Sequence, residues 1–307
     1  MKGLVIKNTG SWYQVRTDQE EIFECKIKGN LRLKDIKSTN PIAVGDFVEF
    51  SAIEEKVGLI SGIYDRKNYI IRRSSNLSKQ SHILAANLDL VVLVITIRYP
   101  ETSTVFIDRF IASAEAYNVP ACILINKTDL YTEDEMQYAE ALKTLYESIG
   151  YPVFMLSAIK PDTFDTFRQF LTGKTILISG NSGVGKSTLI NAILPESLAK
   201  TGEISSYHNK GTHTTTFSQL YQLENGAQLI DTPGIKGFGT VDMEADEISH
   251  YFKEIFKTSK KCRFTNCTHV HEPGCAVLTA VENHQISHSR YQSYLSILSD
   301  FKTGKYR

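Results

Sequence analysis

Gly180-Asn181-Ser182-Gly183-Val184-Gly185-Lys186-Ser187 places its glycines, lysine and hydroxyl at the spacing G-x-x-x-x-G-K-[ST]. Glycines at 183 and 185 let the backbone curl until successive N–H groups point inward, where they can cradle phosphate oxygens beside the positive end of a following helix. Lys186 can reach β- and γ-phosphates, the Ser187 hydroxyl can ligate Mg²⁺, and Thr188 closes the segment. Asp231-Thr232-Pro233-Gly234 follows a strand-like run, Gln228–Ile230. Asp231 can hold the Mg²⁺ shell through water, and Gly234 can offer its N–H to a γ-phosphate.

Asn126-Lys127-Thr128-Asp129 suits guanine. The Asp129 carboxylate can accept hydrogen bonds from the ring N–H and the exocyclic amine, whereas adenine presents an unpaired acceptor there; such sites reject wrong ligands by factors on the order of 10⁴. Asn126 is expected to tie the loop together, and the Lys127 stem to cover base or sugar. Ser157-Ala158, one strand-helix-strand unit later, can present the Ala158 N–H to guanine O6. In an ordinary GTPase the base-reading segment comes last. Here it precedes the phosphate loop, so the parts are complete but cyclically reordered.

Gly211-Thr212-His213-Thr214-Thr215-Thr216 lies in a polar stretch and suits a mobile loop whose threonine, Thr215 or Thr214, closes on Mg²⁺ and γ-phosphate. Ile235 stands where many GTPases place a water-orienting glutamine. Intrinsic hydrolysis is therefore expected to be slow, on the order of 10⁻⁴ to 10⁻² s⁻¹. His213 is the nearest group to supply the missing help, against the alternative of a solvent-facing loop histidine. Cys262, Cys267, His269 and Cys275 offer three thiolates and an imidazole within a short polar stretch, the ligand set of a closed structural zinc site, with His271 a rival fourth ligand.

Elements that would position these groups follow from periodicity. Gly3–Asn8, Trp12–Thr17, Glu21–Lys28, Asp46–Ile53 and Val57–Tyr64 read as short strands, which suits a small closed barrel of the oligonucleotide-binding type over residues 1–72. Buried strands then alternate with amphipathic helices: Leu90–Ile97, Ile107–Tyr117, Ala121–Ile125, Glu133–Ile149, Pro152–Leu156, Thr163–Leu171, Thr175–Ser179 and Lys186–Leu194. This rhythm predicts a mostly parallel sheet covered on both faces, spanning residues 73–240. Residues 241–307 turn helical around the cysteines, and Ala276–Phe301 reads as a single final helix.

Lys plus Arg and Asp plus Glu both number 34, so net charge names no partner. Locally, residues 1–73 carry 13 basic against 10 acidic residues. The longest apolar run, Leu90–Ile97, is too short to cross a bilayer. With no secretory signal and five cysteines, three of them clustered, a reducing cytoplasm and no membrane partner are expected. Cys25 and Cys122 fall in strands and read as core. Nothing calls for a dimer, so a monomer is expected.

The order of Asn126–Asp129 and Gly180–Thr188, the Gly211–Thr216 loop, Asp231–Gly234 and the Cys262/Cys267/His269/Cys275 set together resemble the circularly permuted ribosome small subunit-dependent GTPase A family, the YjeQ type, over essentially the whole chain. That resemblance implies a GTPase that binds GTP and GDP and acts late in maturation of the small (30S) ribosomal subunit. It implies stimulation by the subunit, a barrel and zinc domain gripping 16S rRNA and ribosomal protein, and release driven by hydrolysis. Permutation also puts the chain's exit just after Asp231–Gly239, so nucleotide state is expected to reposition the C-terminal domain. Two other readings stand beside this one. A GTP-dependent switch with a protein or membrane target is opposed by the barrel and zinc domain. An ATPase or passive nucleotide module is opposed by Asp129.

Overall fold

The computed structural model describes residues 1–28, 41–73, 81–194, 218–231 and 244–302. At the N-terminus, alternation of apolar and polar residues builds β1 (Lys2–Asn8), β2 (Tyr13–Arg16), β3 (Ile22–Ile27), β4 (Phe47–Glu54) and β5 (Val57–Ile63). Their order β1-β2-β3-β5-β4, with β4 returning to pair with β1, closes a barrel. Phe23 and Cys25 point inward with Val5, Tyr13, Val15, Ile42, Val48, Phe50 and Ile60, while Ile22, Glu24 and Lys26 face out. A hairpin, β6 (Tyr69–Arg73) with β7 (Ser81–Ala86), leads out of the barrel and touches it through the Val44–Ala85 bridge.

β8 (Leu90–Ile95), β9 (Ala121–Ile125), β10 (Val153–Met155), β11 (Thr175–Gly180) and β13 (Gln228–Asp231) run parallel in the order β10-β9-β8-β11-β13, and β12 (Ser218–Gln222) adds an antiparallel edge. The odd residues Val91, Leu93 and Ile95 of β8 pack under α1 (Thr104–Ala116) and α2 (Glu133–Ser148); the even residues Leu90, Val92 and Val94 pack under α3 (Asp165–Leu171) and α4 (Lys186–Ile193). Burial on both faces is what makes β8 continuously apolar. β12 then pairs with β1, Lys7 with Gln219 and Asn8 with Ser218, so barrel and GTPase strands form one continuous sheet. Cys25 and Cys122 are fully buried, as read from their strands.

Beyond residue 244 come α5 (Lys253–Ser259), α6 (Ala276–Glu282) and α7 (His288–Lys302). The expected single helix over Ala276–Phe301 is therefore two. Its first half ends where His284 takes φ +57° and Ala280 O accepts from both Gln285 N (2.8 Å) and Ile286 N (3.1 Å). The break lets Ile286 turn into the core and redirects α7 onto α1. Ala112 of α1 is buried among Phe252, Ile255, Tyr294 and Ile297. At this contact the Arg290 guanidinium donates to Asp108 Oδ1 (2.7 Å) and to both Glu254 oxygens (2.7 and 3.0 Å). Tyr146 OH donates to the same Asp108 oxygen at 2.7 Å. Among the described residues no helix is long and apolar enough to cross a membrane.

Candidate functional site

The phosphate loop joins β11 to α4, and its glycines are required by geometry. Gly180 (φ +150°) leaves no room for a Cβ, which would lie 2.2 Å from Val94 O; at Gly185 (φ +93°) a Cβ would meet Asn126 Nδ2 at 2.4 Å. Lys186 folds back over the loop and donates to Gly180 O (2.6 Å) and Asn181 O (2.7 Å). Burial lowers its ammonium pKa from the ordinary value, and Asp231 at the end of β13 opposes that shift. Ser187 is half-buried at the start of α4, with Ser182 and Thr188 exposed beside it.

Asn126–Asp129, the segment expected to read a base, begins where β9 ends, against this loop. Asn126 is fully buried; its Nδ2 donates to Val184 O (2.8 Å) and its Oδ1 accepts from Ala158 N (2.9 Å). One side chain thus pins together the three loops that sequence spreads over residues 126–187. The Ala158 N–H, expected to face guanine O6, donates to Asn126 Oδ1 at this joint. Lys127 takes a left-handed φ of +66° and its Nζ donates to Gly183 O (2.7 Å) and Tyr99 O (2.6 Å). Its stem therefore crosses between the base-reading and phosphate loops. Thr128 N donates to Leu156 O (3.3 Å), and Ser157 Oγ donates to Asp129 Oδ1 (2.5 Å), fixing the carboxylate's rotation.

Two contributors escape motif reading. The turn after β8 is braced by Thr96 Oγ1 donating to Pro100 O (2.5 Å), and it brings Pro100 against Gly183. Tyr131 OH donates to Asn126 O (2.5 Å) and accepts from Ile97 N (2.9 Å). Neither residue type nor spacing marks them; their roles exist only once the strands are laid side by side. Thr214, Thr215, His213, Thr232, Pro233, Gly234 and Ile235 lie outside the described residues, as does the boundary at residue 240.

Cys262, Cys267, His269 and Cys275 converge with their ligand atoms all within 4.8 Å of one another. Cys262 Sγ lies 3.7 Å from His269 Nδ1 and 3.9 Å from Cys275 Sγ, and Cys275 Sγ lies 3.5 Å from His269 Nδ1. A tetrahedral ion about 2.3 Å from sulfur and about 2.0 Å from nitrogen would space its ligands about 3.8 Å (S–S) and 3.5 Å (S–N) apart. The donor set fits such an ion. His271 is exposed and outside the cluster, which leaves His269 as the fourth ligand. Glu272 holds the loop by accepting from Thr268 N (2.7 Å), Thr268 Oγ1 (2.6 Å), Val270 N (2.9 Å) and His271 N (3.1 Å).

Known proteins share this architecture and order of motifs. A family model described as RsgA GTPase matches residues 63–241, and one described as RsgA N-terminal domain matches residues 2–60. A protein of Bacteroides fragilis (strain YCH46) called small ribosomal subunit biogenesis GTPase RsgA is 65% identical over 307 residues, spanning 100% of this chain and 99% of that protein. Its namesake in Porphyromonas gingivalis (strain ATCC 33277) is 56% identical over 313 residues, with 100% and 99% covered. The crystal structure of YjeQ from Thermotoga maritima superposes with a TM-score of 0.78 at 35% identity, covering 98% of each chain. YloQ, a circularly permuted GTPase, gives 0.77 at 27% identity, covering 100% of this chain and 96% of that one. Guanine-type and phosphate-type loops pinned together in permuted order, on a sheet continuous with a barrel, thus have a known home: the chain belongs to the RsgA family of circularly permuted GTPases and is a GTP-hydrolysing enzyme.

Proposed function

We propose that this GTPase binds the small (30S) ribosomal subunit late in its maturation, hydrolyses GTP to GDP and phosphate faster when bound, and leaves as its nucleotide state changes. The observation that carries the nucleotide part is the Asn126 joint, which ties the Asn126–Asp129 and Ser157-Ala158 segments to Val184 of the Gly180–Thr188 loop. Asp129 reads guanine, Lys186 meets the β- and γ-phosphates, and Ser187 with Thr215 or Thr214 holds Mg²⁺, with Asp231 in its outer shell. Bound there, Mg²⁺ would neutralise charge developing on the transferred phosphate. Gly234 donates its N–H to the γ-phosphate, and His213 orients water in place of the glutamine that Ile235 displaces.

The ribosomal part rests on relatives that bear that function in their names across the full length of the chain. It also rests on surface chemistry. On the barrel, Lys26 Nζ sits 4.2 Å from the Trp12 ring centroid and Lys2 Nζ 4.7 Å from that of Phe47. On the C-terminal module, Lys260 and Arg263 flank the exposed Phe256 and Phe264. Cations over rings at the surface, Phe47, Phe256 and Phe264 exposed and Trp12 half-buried, suit a phosphate backbone with unstacked bases, and 16S rRNA supplies both. We assign the barrel to residues 1–72, the GTPase to 73–240 and a zinc module to 241–307, and take the protein to be a cytoplasmic monomer. Zn²⁺ fits the Cys262/Cys267/His269/Cys275 cluster as a closed structural ion.

Steady-state GTP hydrolysis by the zinc-loaded protein, with and without purified small subunits and with ATP as control, tests this reading. Strong stimulation confined to GTP is expected; turnover unmoved by subunits would overturn the proposed partner.

A further inference from the structure

We propose that Tyr131 is a positioning residue for guanine selection: its hydroxyl splints the base-reading loop to the turn that abuts the phosphate loop. The inference rests on the reading of Asp129 as the guanine-selecting group.

The β8–β9 ladder ends with Ile95 opposite Ile125, and its last rung is Asn126 N donating to Ile95 O (2.9 Å). Past that rung the strands part. The β8 side bends into a tight turn, with Thr102 N donating to Thr96 O (3.1 Å) and Thr96 Oγ1 to Pro100 O (2.5 Å). The β9 side enters Asn126–Asp129. Parting strands leave a donor, Ile97 N–H, and an acceptor, Asn126 C=O, without rungs, and buried main-chain groups are costly to leave unmet. The Tyr131 hydroxyl serves both at once, accepting from Ile97 N (2.9 Å) and donating to Asn126 O (2.5 Å). It acts as a side-chain rung that carries the ladder one step beyond the sheet. Burial pushes the phenol's pKa up to about 12, so its proton is present throughout the neutral range and the donor role is permanent.

Both ends of this splint lead to the nucleotide site. From Ile97 the chain reaches Tyr99, whose carbonyl accepts from Lys127 Nζ (2.6 Å), and Pro100, which lies 3.3 Å from where a Gly183 Cβ would stand. From Asn126 the side chain reaches Val184 O and Ala158 N, and the main chain reaches Asp129. The spacing of the two strand ends therefore sets how Lys127 and Asp129 stand relative to the phosphate loop. Asp129 is further aligned by Ser157, but that contact fixes the rotation of its carboxylate and not the position of its loop. Tyr131 acts through Asn126 and Lys127.

Tyr131→Phe keeps the ring and removes only the rung. Equilibrium titration of the full-length protein with GDP and with IDP, which lacks the exocyclic amine that Asp129 reads, separates positioning from general stability. GDP affinity should fall about tenfold, the worth of one well-placed hydrogen bond. The GDP-over-IDP preference should shrink with it, because a displaced carboxylate gains less from the amine. Tyr138→Phe, which removes the same hydroxyl from the exposed face of α2, should leave both quantities at the wild-type level. A Tyr131→Phe protein with GDP affinity and GDP/IDP ratio within twofold of wild type would overturn the inference. Wild type that fails to prefer GDP over IDP would instead overturn the Asp129 reading beneath it.

Discussion

On its barrel side the GTPase sheet simply continues, β12 pairing with β1 through main-chain hydrogen bonds, whereas the C-terminal module meets α1, on a face of the sheet, through a buried cluster of charges. Around the first joint the cross-links come from the main chain and from asparagines. Asn87 Nδ2 donates to Gly45 O (2.8 Å), Asn68 Nδ2 to Leu88 O (2.9 Å), and Lys67 pairs with Asp89 near the surface. Arg66 and Asp46 form a buried pair there too, but Asp46 and Pro41 belong to the barrel's own closing turn. At the second joint Arg290 and Asp108 are almost wholly buried, and Arg290 is shared with Glu254. A joint of backbone rungs yields locally and by small amounts. A buried ion pair is close to all-or-none, since removing one partner strands the other in a low dielectric.

The contrast bears on how nucleotide state could be transmitted. β12 follows residues 195–217 and pairs with β13, which ends at Asp231; only β12 thus separates β1 from β13. The C-terminal module was expected to feel the nucleotide through the chain's exit after Asp231. It also contacts α1, and the turn that leads into α1 packs Pro100 against the phosphate loop.

Loading the Cys262/Cys267/His269/Cys275 cluster with zinc and then chelating it should separate the two joints most sharply. A closed structural site supplies on the order of 10–16 kcal/mol of local folding. Chelation is therefore expected to abolish hydrogen-exchange protection in α5, α6 and α7 while β1 and β12 keep theirs; loss at both joints together would contradict their independence. Next in size, Arg290→Ala should destabilise by about 3–5 kcal/mol in chemical denaturation, because Asp108 and Glu254 both lose their buried partner. Arg290→Met combined with Asp108→Leu should recover much of that loss, and a double variant no better than the single would show that packing, not charge, sets the cost.

The elements on either side of the first joint were legible in the sequence, but neither joint was. Barrel strands were found to within a residue or two because Phe23, Cys25 and their neighbours alternate, and the phosphate loop because Gly180 and Gly185 occupy positions where a Cβ cannot fit. The barrel's union with the sheet was not visible, since Ser218–Gln222 is polar edge strand recognisable only by its partner. The β6–β7 hairpin was missed for the same reason. Asp108 and Arg290 stand 182 residues apart, and each reads as an ordinary surface charge on an amphipathic helix. The break after Asn283 escaped notice because no glycine or proline marks it; His284 takes the left-handed conformation instead. Within the site, Asn126 was expected as a tie, but Tyr131 depends on where two strands part.

Smaller effects should mark the first joint. Asn87 sits at φ +57° and accepts from Lys67 N (3.0 Å) as well as donating to Gly45 O, so Asn87→Ala should cost about 1–3 kcal/mol of unfolding free energy. Asn87→Gly should cost less by relieving the backbone, and equal costs would mean the conformation carries no strain. Smallest of all is a pH effect. Burial tends to raise the Asp89 carboxyl, but the Lys67 ammonium and the Thr175 N–H outweigh it and hold it below the usual carboxylate range. Its contribution is present above the unfolded value near pH ~3.9 and is lost as pH falls through the folded one. Because the pair is partly exposed, Asp89→Asn should remove less than about 1 kcal/mol, with the difference from wild type vanishing in acid. A difference that persisted below pH ~2 would assign it to packing instead.

Binding of GDP and xanthosine diphosphate to wild type and to Asp129→Asn tests most directly that this fold is keyed to guanine. Wild type should prefer GDP, and Asp129→Asn should lose GDP affinity strongly and shift toward the xanthine nucleotide, whose 2-oxo group pairs with an amide donor. An Asp129→Asn protein that binds GDP as tightly as wild type would contradict the assignment of the base-reading loop, and with it the role of the Asn126 joint.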